Sequence, residues 1–263
     1  MICISDQTGE NITFIAQPKR IISLVPSITE TLYDIGLEHY ISGVTKFCIH
    51  PSNFKKRKHV IGGTKNPKIK LIQALKPDLI IANKEENRLE DIIELRKVAP
   101  VYITDISNIS ETITFLEDIH ILFDQSSVKP LLEKLKGMCN KIKPTPIKTC
   151  YLIWRYPWMT IGNDTFIHSM MEMYGFENIF SHTKRYPVIT IEEIKSLQPS
   201  VIMLSSEPFP FKEKHLAEIM DTLPGSKILL VDGEMFSWYG SRLLKADIYL
   251  KSLYTSIQSI SNE

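Results

Sequence analysis

The chain has 263 residues, with 31 lysines and arginines against 30 aspartates and glutamates, so its formal net charge is +1. Hydrophobic residues make up 43% and charged residues 23%, which is typical of a globular protein and excludes disordered, collagen-like and fibrous classes. Proteins that bind a phosphate backbone usually carry a basic excess, so the balance of charge argues against nucleic acid as a partner. The one dense basic run, residues 55–58, is interpreted as a solvated loop.

The first twenty residues lack the basic region, the apolar region and the small-residue cleavage site of a signal peptide. No apolar stretch approaches the roughly 20 residues that a membrane-spanning helix needs. The sequence as it stands therefore predicts a cytoplasmic protein, and a periplasmic or cell-envelope one if a leader precedes it. Four cysteines at irregular spacing (Cys3, Cys48, Cys139, Cys150) predict reduced thiols and argue against structural zinc or disulfides.

Strand and helix signals alternate along the first half, which indicates an α/β fold. Residues 21–25 form a short β-branched run, and Pro26 follows it. The pattern Ser27-Ile28-Thr29-Glu30 then predicts a capping box that opens a helix ending at Gly36. Further strands are predicted at residues 41–44, 79–82 and 101–103, and helices at 71–76, at about 86–98 and from about 110.

A long helix is predicted from about residue 126 to 142, because its apolar residues recur at helical spacing. Pro144 and Pro146 follow and would end it. The second half repeats the alternation of the first. Strands are predicted at 150–154 and 228–231, a helix at 166–174, and a capping box over 190–193.

One motif occurs in both halves. Leu75-Lys76-Pro77-Asp78 and Leu197-Gln198-Pro199-Ser200 each precede an apolar strand, and the two prolines are 122 positions apart. Coincidence is the alternative, but the repeat favours two similar α/β lobes joined by the long helix. We therefore predict an N-terminal lobe over residues 1–123, a connecting helix over 124–145 and a C-terminal lobe over 146–263.

The usual catalytic motifs are absent: the sequence has no G-x-S-x-G, no phosphate-binding loop, no G-x-G-x-x-G and no H-E-x-x-H. We therefore predict no catalytic residue. His168 and Glu172 share a helix face and could hold a metal, but a pair of this kind is more typical of a surface hydrogen bond. No metal ligand is predicted.

Aromatic and polar residues follow several predicted strands. In open α/β sheets, ligands bind beyond the carboxyl ends of the strands, so this placement favours a bulky, flat, partly apolar ligand. The alternative is that the tryptophans fill the cores of their lobes. The predicted ligand-binding residues are Lys46, Phe47, Asn83, Arg155, Tyr156, Trp158, Met159, Trp238, Tyr239 and Arg242.

Residues 18–30, 75–81 and 175–180 resemble segments of the substrate-binding proteins of ABC importers for vitamin B12, iron–siderophores or haem. The similarity runs in order from about residue 12 to 256, and the vitamin B12-binding subtype is the most similar. The resemblance implies two Rossmann-like lobes with mainly parallel central sheets, joined by one long helix, with the ligand held between the lobes.

The resemblance also implies differences at the site. Phe47 falls where the B12 binder has a tyrosine, and Met159 or Trp158 falls where it has a phenylalanine. Thr64 and Asn83 fall where that protein has tryptophans, and Trp238 falls near an arginine position. The ligand site therefore differs from that of a B12 binder.

Importer components of this family present one glutamate on each lobe to arginines of the permease. Glu192 matches the position in the second lobe, but Lys70 stands at the position in the first. A lysine would repel a permease arginine, which puts docking to a permease in doubt.

Taken together, the sequence predicts a non-enzymatic, monomeric binding protein for a cobalamin-like, siderophore or haem ligand, with no intrinsic cofactor. One alternative is a cytosolic enzyme or accessory protein acting on a corrinoid or tetrapyrrole, for which His50, Glu86 and Glu234 are the groups to check. A second alternative is a direct metal-ion receptor.

Overall fold

The computed structural model describes residues 1–124, 126–139 and 144–260, with the backbone alone at residue 260. The chain divides into two compact units. Unit 1 comprises Met1–Cys139 and Tyr239–Arg242, and unit 2 comprises Asn140–Trp238 and Leu243–Glu263. The predicted connecting segment, 124–145, includes residues 125 and 140–143, which lie outside the described part, so the predicted domain boundaries stay predictions.

Unit 1 is built on a five-stranded sheet whose neighbouring strands are all parallel. The strands of unit 1 are β1 (Ile2–Ser5), β2 (Asn11–Phe14), β3 (Ile21–Ser23), β4 (Ile41–Val44), β5 (His59–Val60), β6 (Gly62–Gly63), β7 (Asn66–Pro67), β8 (Leu79–Asn83) and β9 (Val101–Thr104). Outside the five-stranded sheet, β1 pairs with β2 and β6 pairs with β7 as short antiparallel hairpins. The order across the sheet is β5-β4-β3-β8-β9, so the chain reverses direction across the sheet between β3 and β8.

Six helices and two short 3-10 helices complete unit 1. The α-helices are α1 (Pro26–Asp34), α2 (Phe54–Arg57), α3 (Ile69–Ala74), α4 (Leu89–Arg96), α5 (Ile109–Phe123) and α6 (Val128–Cys139). The 3-10 helices are Glu38–Tyr40 and Gly240–Arg242. The central strands β3 and β8 are buried on both faces and pack against α3 and α4 through aliphatic side chains. This double burial explains why β8 reads as a continuous apolar run rather than an alternating one.

Unit 2 has a four-stranded, all-parallel sheet in the order β11-β10-β12-β13. Its strands are β10 (Ile147–Leu152), β11 (Phe176–Asn178), β12 (Val201–Ser205) and β13 (Lys227–Val231). Its helices are α7 (Phe166–Met173), α8 (Ile191–Leu197), α9 (Glu213–Thr222), α10 (Glu234–Ser237) and α11 (Leu243–Ile260). Here the reversal across the sheet lies between β10 and β12. The prediction of an α/β fold with parallel sheets is confirmed.

The Leu-x-Pro repeat has the same local structure in both units. Lys76 and Gln198, the residues before each proline, both adopt left-handed backbone angles, with φ of 48° and 50°. The residues after the prolines also match: the amide of Asp78 donates to the carbonyl of Arg20, and that of Ser200 donates to the carbonyl of Lys148. The motif thus carries the chain in the same way from α3 into β8 and from α8 into β12.

Two local predictions need comment. The capping box predicted at Ser27–Glu30 is wrong, because α1 begins at Pro26 after Val25 and no side chain caps it. The box at Thr190–Glu193 is confirmed, with both of its side-chain bonds present. The long central helix is observed as α6, twelve residues ending at Cys139. Its predicted continuation to residue 142 lies outside the described residues.

The four cysteines are free, with Cys48 and Cys150 buried. Within the described segments of the chain, no helix is both long and apolar enough to cross a membrane.

Candidate ligand-binding site

Both sheets are parallel, so all strands of a sheet end at the same side. We call this side the carboxyl edge of each unit: the loops after β3, β4, β8 and β9 in unit 1, and those after β10, β12 and β13 in unit 2. In open α/β sheets ligands bind at this edge, where the strand order reverses. Each carboxyl edge is therefore a candidate site within its own unit, and the two edges are built differently.

At the edge of unit 1, Asn83 ends β8 and is buried. Its side-chain nitrogen donates to the carbonyl and hydroxyl of Thr104, at 3.3 and 3.1 Å. Its side-chain oxygen accepts from the amides of Glu85 and Glu86, at 2.9 and 3.1 Å. These four bonds shape the loop after β8, which favours a structural role for Asn83 over ligand contact.

Lys46 and Phe47 follow β4 and are exposed, and Phe47 retains 48% of its surface. The ammonium nitrogen of Lys46 lies 4.9 Å from the centre of the Phe47 ring, a cation–π contact. A large exposed aromatic ring with a cation over it can stack on a flat ligand, and the role of this pair in ligand contact stays a prediction.

A segment from the C-terminal half, Tyr239–Arg242, belongs to unit 1, and we call it the clip. Arg242 is only 3% exposed, and its Nε and Nη2 donate to the two carboxylate oxygens of Glu30 on α1, at 2.7 and 2.8 Å. Tyr239 is also buried, and burial raises the pKa of its hydroxyl well above the ordinary value. The predicted ligand residues Tyr239 and Arg242 therefore lie inside unit 1, which favours a structural role for both.

The clip packs closely on α1. Gly240 has φ of +88°, and a Cβ there would lie 1.9 Å from the hydroxyl oxygen of Thr31, so only glycine fits. The Ser241 amide donates to that same oxygen at 3.0 Å, and the Ser241 hydroxyl donates to Asp34 at 2.7 Å. Glu30, Thr31 and Asp34 thus accept hydrogen bonds from Ser241 and Arg242 of the clip, while Gly240 packs against Thr31.

The edge of unit 2 has a different character. Residues 154–159, which we call the aromatic segment, form a tight loop after β10, closed by backbone bonds between Trp154 and Met159 and between Ile153 and Met159. Met159 is also bridged to Val188. Trp154 is 39% exposed and Tyr156 is 72% exposed, far more than tryptophans and tyrosines of a core would be.

Arg155 organises the exposed rings. Its guanidinium carbon lies 4.4 Å from the centre of the Tyr156 ring and 5.9 Å from that of Trp158. It also pairs with Glu218 of α9, and the Tyr156 hydroxyl bonds both groups, at 3.1 Å to Arg155 and 3.2 Å to Glu218. Tyr156 has φ of +58°, an uncommon value for a bulky residue. Such local strain is typical of functional loops.

Further aromatic residues support this surface from below. Trp158 stacks in parallel on Phe211 at 6.2 Å, and Trp154 meets Phe209 edge-on at 5.6 Å. Phe209 and Phe211 contact each other at 4.7 Å. The predicted Trp158 therefore lies partly in a packed cluster, whereas its neighbours Trp154 and Tyr156 are the rings that a ligand can reach.

Sequence reasoning did not select Trp154, Glu207 or Glu218. Trp154 lies two residues after the end of β10, and that position could have selected it. Glu207 accepts hydrogen bonds from the Ser237 hydroxyl at 2.6 Å and from the Trp238 indole at 3.1 Å. Nothing in the local sequence signals this bond, because the two side chains are 31 positions apart.

The remaining predicted groups are placed as follows. Throughout the described ranges, no set of three or more histidine, cysteine, aspartate or glutamate side chains is grouped so as to hold a metal ion. His168 lies 3.3 Å from the side-chain nitrogen of Asn178. Glu192 and Lys70 are both exposed, and each is the second residue of its helix, α8 and α3. Lys70 and Glu192, which carry opposite charges, therefore occupy corresponding positions in the helices that precede the two Leu-x-Pro motifs.

Residues 21–116 match the model of the periplasmic binding protein family. The resemblance inferred from the sequence is therefore confirmed: the chain is similar to substrate-binding proteins of ABC transporters. An ABC transporter substrate-binding lipoprotein of Bacillus subtilis strain 168 is 27% identical over 77% of this chain and 68% of its own length. The vitamin B12-binding protein of Vibrio parahaemolyticus is 25% identical over 71% of this chain and 70% of its own.

Solved structures agree on the fold. The periplasmic vitamin B12 binding protein of Vibrio cholerae superposes with a TM-score of 0.76 at 20% identity, covering 92% of this chain and 98% of that one. A periplasmic haem-binding protein from Roseiflexus sp. RS-1 gives 0.75 at 20% identity, covering 91% and 97%. The relatives are named as substrate-binding and vitamin B12-binding proteins, which agrees with the class of protein predicted from the sequence.

Proposed function

We propose that this chain binds a bulky metal chelate of the cobalamin, siderophore or haem type. The observation that carries the proposal is the aromatic segment, where large rings are exposed at the carboxyl edge of unit 2. Relatives named as B12-binding proteins, and structural neighbours named as B12- and haem-binding, support the same ligand class. Flat, partly apolar chelates match exposed rings because stacking buries apolar area on both partners.

The proposed contacts divide into two kinds. Stacking would come from exposed aromatic rings, and orientation from the cations beside them. The residues assigned to contact are Lys46 and Phe47 of unit 1, and Trp154, Arg155, Tyr156, Trp158, Met159 and Trp238 of unit 2. Asn83, Tyr239 and Arg242 are assigned to support, because their polar atoms or their burial serve unit 1 itself.

The test is a titration of the purified chain with cyanocobalamin, haemin and a ferric tricatecholate, each followed through the absorbance bands of the ligand and through calorimetry. We expect at least one of them to bind at micromolar concentration or below. The double variant Trp154→Ala/Tyr156→Ala should weaken that binding at least tenfold, since each stacked ring contributes about 1 kcal/mol or more. A matched control is Ile248→Ala, an exposed apolar residue of α11 in the same unit. Absence of binding by all three ligands would refute the proposal.

Delivery to a permease is a separate proposal. Glu192 is assigned to docking, and Lys70 at the corresponding position of unit 1 opposes a permease that presents arginine at both contacts. We expect Lys70→Glu to raise the affinity for a detergent-purified vitamin B12 permease about tenfold, and Glu192→Lys to lower it. Equal binding by wild type and both variants would show that these helices do not dock.

The cellular location depends on that outcome. A chain that serves an importer works at the cell envelope, as the names of its lipoprotein and periplasmic relatives suggest for them. A chain that does not dock has no need of the cell envelope and can act in the cytoplasm. Fractionation of cells producing the full-length protein, with immunodetection in each fraction, distinguishes the two. Size-exclusion chromatography with light scattering tests the predicted monomer.

A further inference from the structure

Glu207 lies at the carboxyl edge of unit 2, two residues after the end of β12. Its Oε1 accepts both hydrogen bonds that the side chain receives, from the Ser237 hydroxyl and the Trp238 indole. Across the part of the chain that the structure describes, no hydrogen bond or ion pair involves Oε2. Glu207 is partly exposed, and its Oε2 atom is reached by solvent. One oxygen is therefore fixed and the other is open.

The side chain is held firmly in this orientation. Gly233 approaches it so closely that a Cβ at Gly233 would lie 2.6 Å from Glu207 Cγ and 2.4 Å from the Ser205 hydroxyl. The amide of Gly233 donates to the Ser206 hydroxyl at 2.9 Å, which keeps the glycine in place. The backbone of the loop after β13 thus clamps the stem of Glu207. Such preorganisation of one polar group is a property of binding sites.

The surroundings of Glu207 disfavour its charged form in the folded protein. Burial raises the pKa of its carboxyl above the ordinary value, and the negative fields of Glu234 and Asp232 raise it further, against the lowering effect of the Ser237 and Trp238 donors. No lysine, arginine or histidine forms an ion pair with Glu207 within residues 1–124, 126–139 and 144–260. A half-buried carboxylate held without a cation costs stability, and such groups cluster at functional sites.

We propose that Glu207 is a specificity-determining residue of the unit 2 edge: Oε1 fixes the ring of Trp238, and Oε2 accepts a hydrogen bond from an N–H group of the ligand. This inference rests on the proposed function and deepens it. It assigns to the site a chelate whose rim carries amides or other N–H donors, as a corrinoid does. It disfavours chelates with carboxylates on the rim, such as haem.

The charges at this edge support that choice. A ligand carboxylate placed beside Trp238 would meet Glu207, Asp232 and Glu234, and like charges brought together at a partly desolvated site repel strongly. An amide N–H placed at the same point satisfies Oε2 and offsets part of the cost of burying the carboxylate. The same group therefore attracts one ligand class and rejects the other.

The experiment uses two pairs of ligands that differ in charge. One pair is cyanocobalamin and its monocarboxylic acid, in which one peripheral amide is hydrolysed; the other is haemin dimethyl ester and haemin. Dissociation constants are measured at neutral pH for the wild type, Glu207→Gln and Glu207→Ala. Glu177→Gln, which removes an exposed charge on β11 in the same unit, is the matched control.

We expect the wild type and the control to prefer the uncharged member of each pair about tenfold or more. Glu207→Gln keeps an acceptor oxygen for Ser237 and Trp238 but places an NH2 group where Oε2 stood, so it should bind cyanocobalamin more weakly than wild type and lose the preference for the uncharged member. Glu207→Ala should weaken both members of a pair, and the better binding by Gln than by Ala separates charge selection from structural damage.

If the ligands bind and the preference is the same in wild type and Glu207→Gln, this inference is wrong and the proposed function stands. If none of the ligands binds to any of the four proteins, the proposed function fails, and the role of Glu207 fails with it.

Discussion

The carboxyl edges of both units end parallel sheets, but the polar side chains at the two edges differ in their partners and exposure. In unit 1, Asn83 is saturated by four bonds and Arg242 is buried against Glu30. In unit 2, Arg155 lies among exposed rings and Glu207 keeps one oxygen open. The difference is that the polar groups of the unit 1 edge, apart from exposed Lys46, have partners inside that unit, whereas the unit 2 edge exposes more aromatic and polar groups.

The largest effect is expected from Arg242→Ala. The substitution leaves Glu30 buried without its cation, and breaking one side of a buried pair costs about 3–5 kcal/mol. The free energy of unfolding from urea denaturation measures this. The double variant Glu30→Leu/Arg242→Met removes both charges and should recover most of the loss. A loss below about 1 kcal/mol in Arg242→Ala would contradict the structural role and restore the arginine as a ligand candidate.

A smaller loss is expected from Asn83→Ala, about 2–3 kcal/mol, because the amides of Glu85 and Glu86 and the Thr104 groups lose their partner inside the protein. Thermal unfolding of the ligand-free protein measures it. The loop after β8 should also gain amide hydrogen exchange. If the variant is as stable as wild type but binds ligand poorly, Asn83 is a contact residue after all.

Arg155→Ala should reduce ligand binding more than stability, in contrast to the two preceding variants. The pair with Glu218 lies at the surface, so its removal should cost less than about 1 kcal/mol of stability. Binding should fall three- to tenfold, because Arg155 holds Tyr156 and Trp158 through cation–π contacts. Calorimetric titration beside urea denaturation checks both. A stability loss as large as that of Arg242→Ala would remove the contrast between the two edges.

The smallest expected effect is a gain in stability on replacing Glu207 by glutamine. The folded-state pKa of Glu207 is raised, so the native protein holds this proton more tightly than the unfolded chain does. The resulting penalty is absent below the ordinary glutamate pKa, grows as pH rises toward the raised value, and is complete above it. Glu207→Gln should therefore stabilise the protein at neutral pH and not at pH 3. Equal stability of both proteins across that range would show that the carboxylate carries no penalty.

Much of the fold was predictable because its signals are local. The β-branched strands, the capping box at Thr190 and the Leu-x-Pro repeat each depend on a few adjacent residues, and each is present as predicted. The capping box predicted at Glu30 failed for the opposite reason. Its carboxylate bonds Arg242, 212 positions away, and no local pattern shows that partner.

The position of the ligand site stays a prediction. The rule that ligands bind at strand ends selected the aromatic segment and Phe47, and the structure has both in loops with exposed rings. It could not separate exposed from buried residues within those loops, because burial depends on packing between distant segments. Tyr239 and Arg242 follow the strand-end region as Trp238 does, yet they are buried through contacts with α1. The open oxygen of Glu207 depends on a glycine 26 positions later.

The clip also has a consequence for biosynthesis. Unit 1 contains Met1–Cys139 and the clip, so a ribosome must add about a hundred residues beyond Cys139 before unit 1 has all its parts. Until then Glu30 lacks Arg242, and the nascent N-terminal part is an unfinished domain. Unit 1 therefore cannot reach its complete structure before residues 140–238 of unit 2 are synthesised. A chain released early, before residue 239, would present quality-control proteases with a destabilised fragment and not a folded lobe.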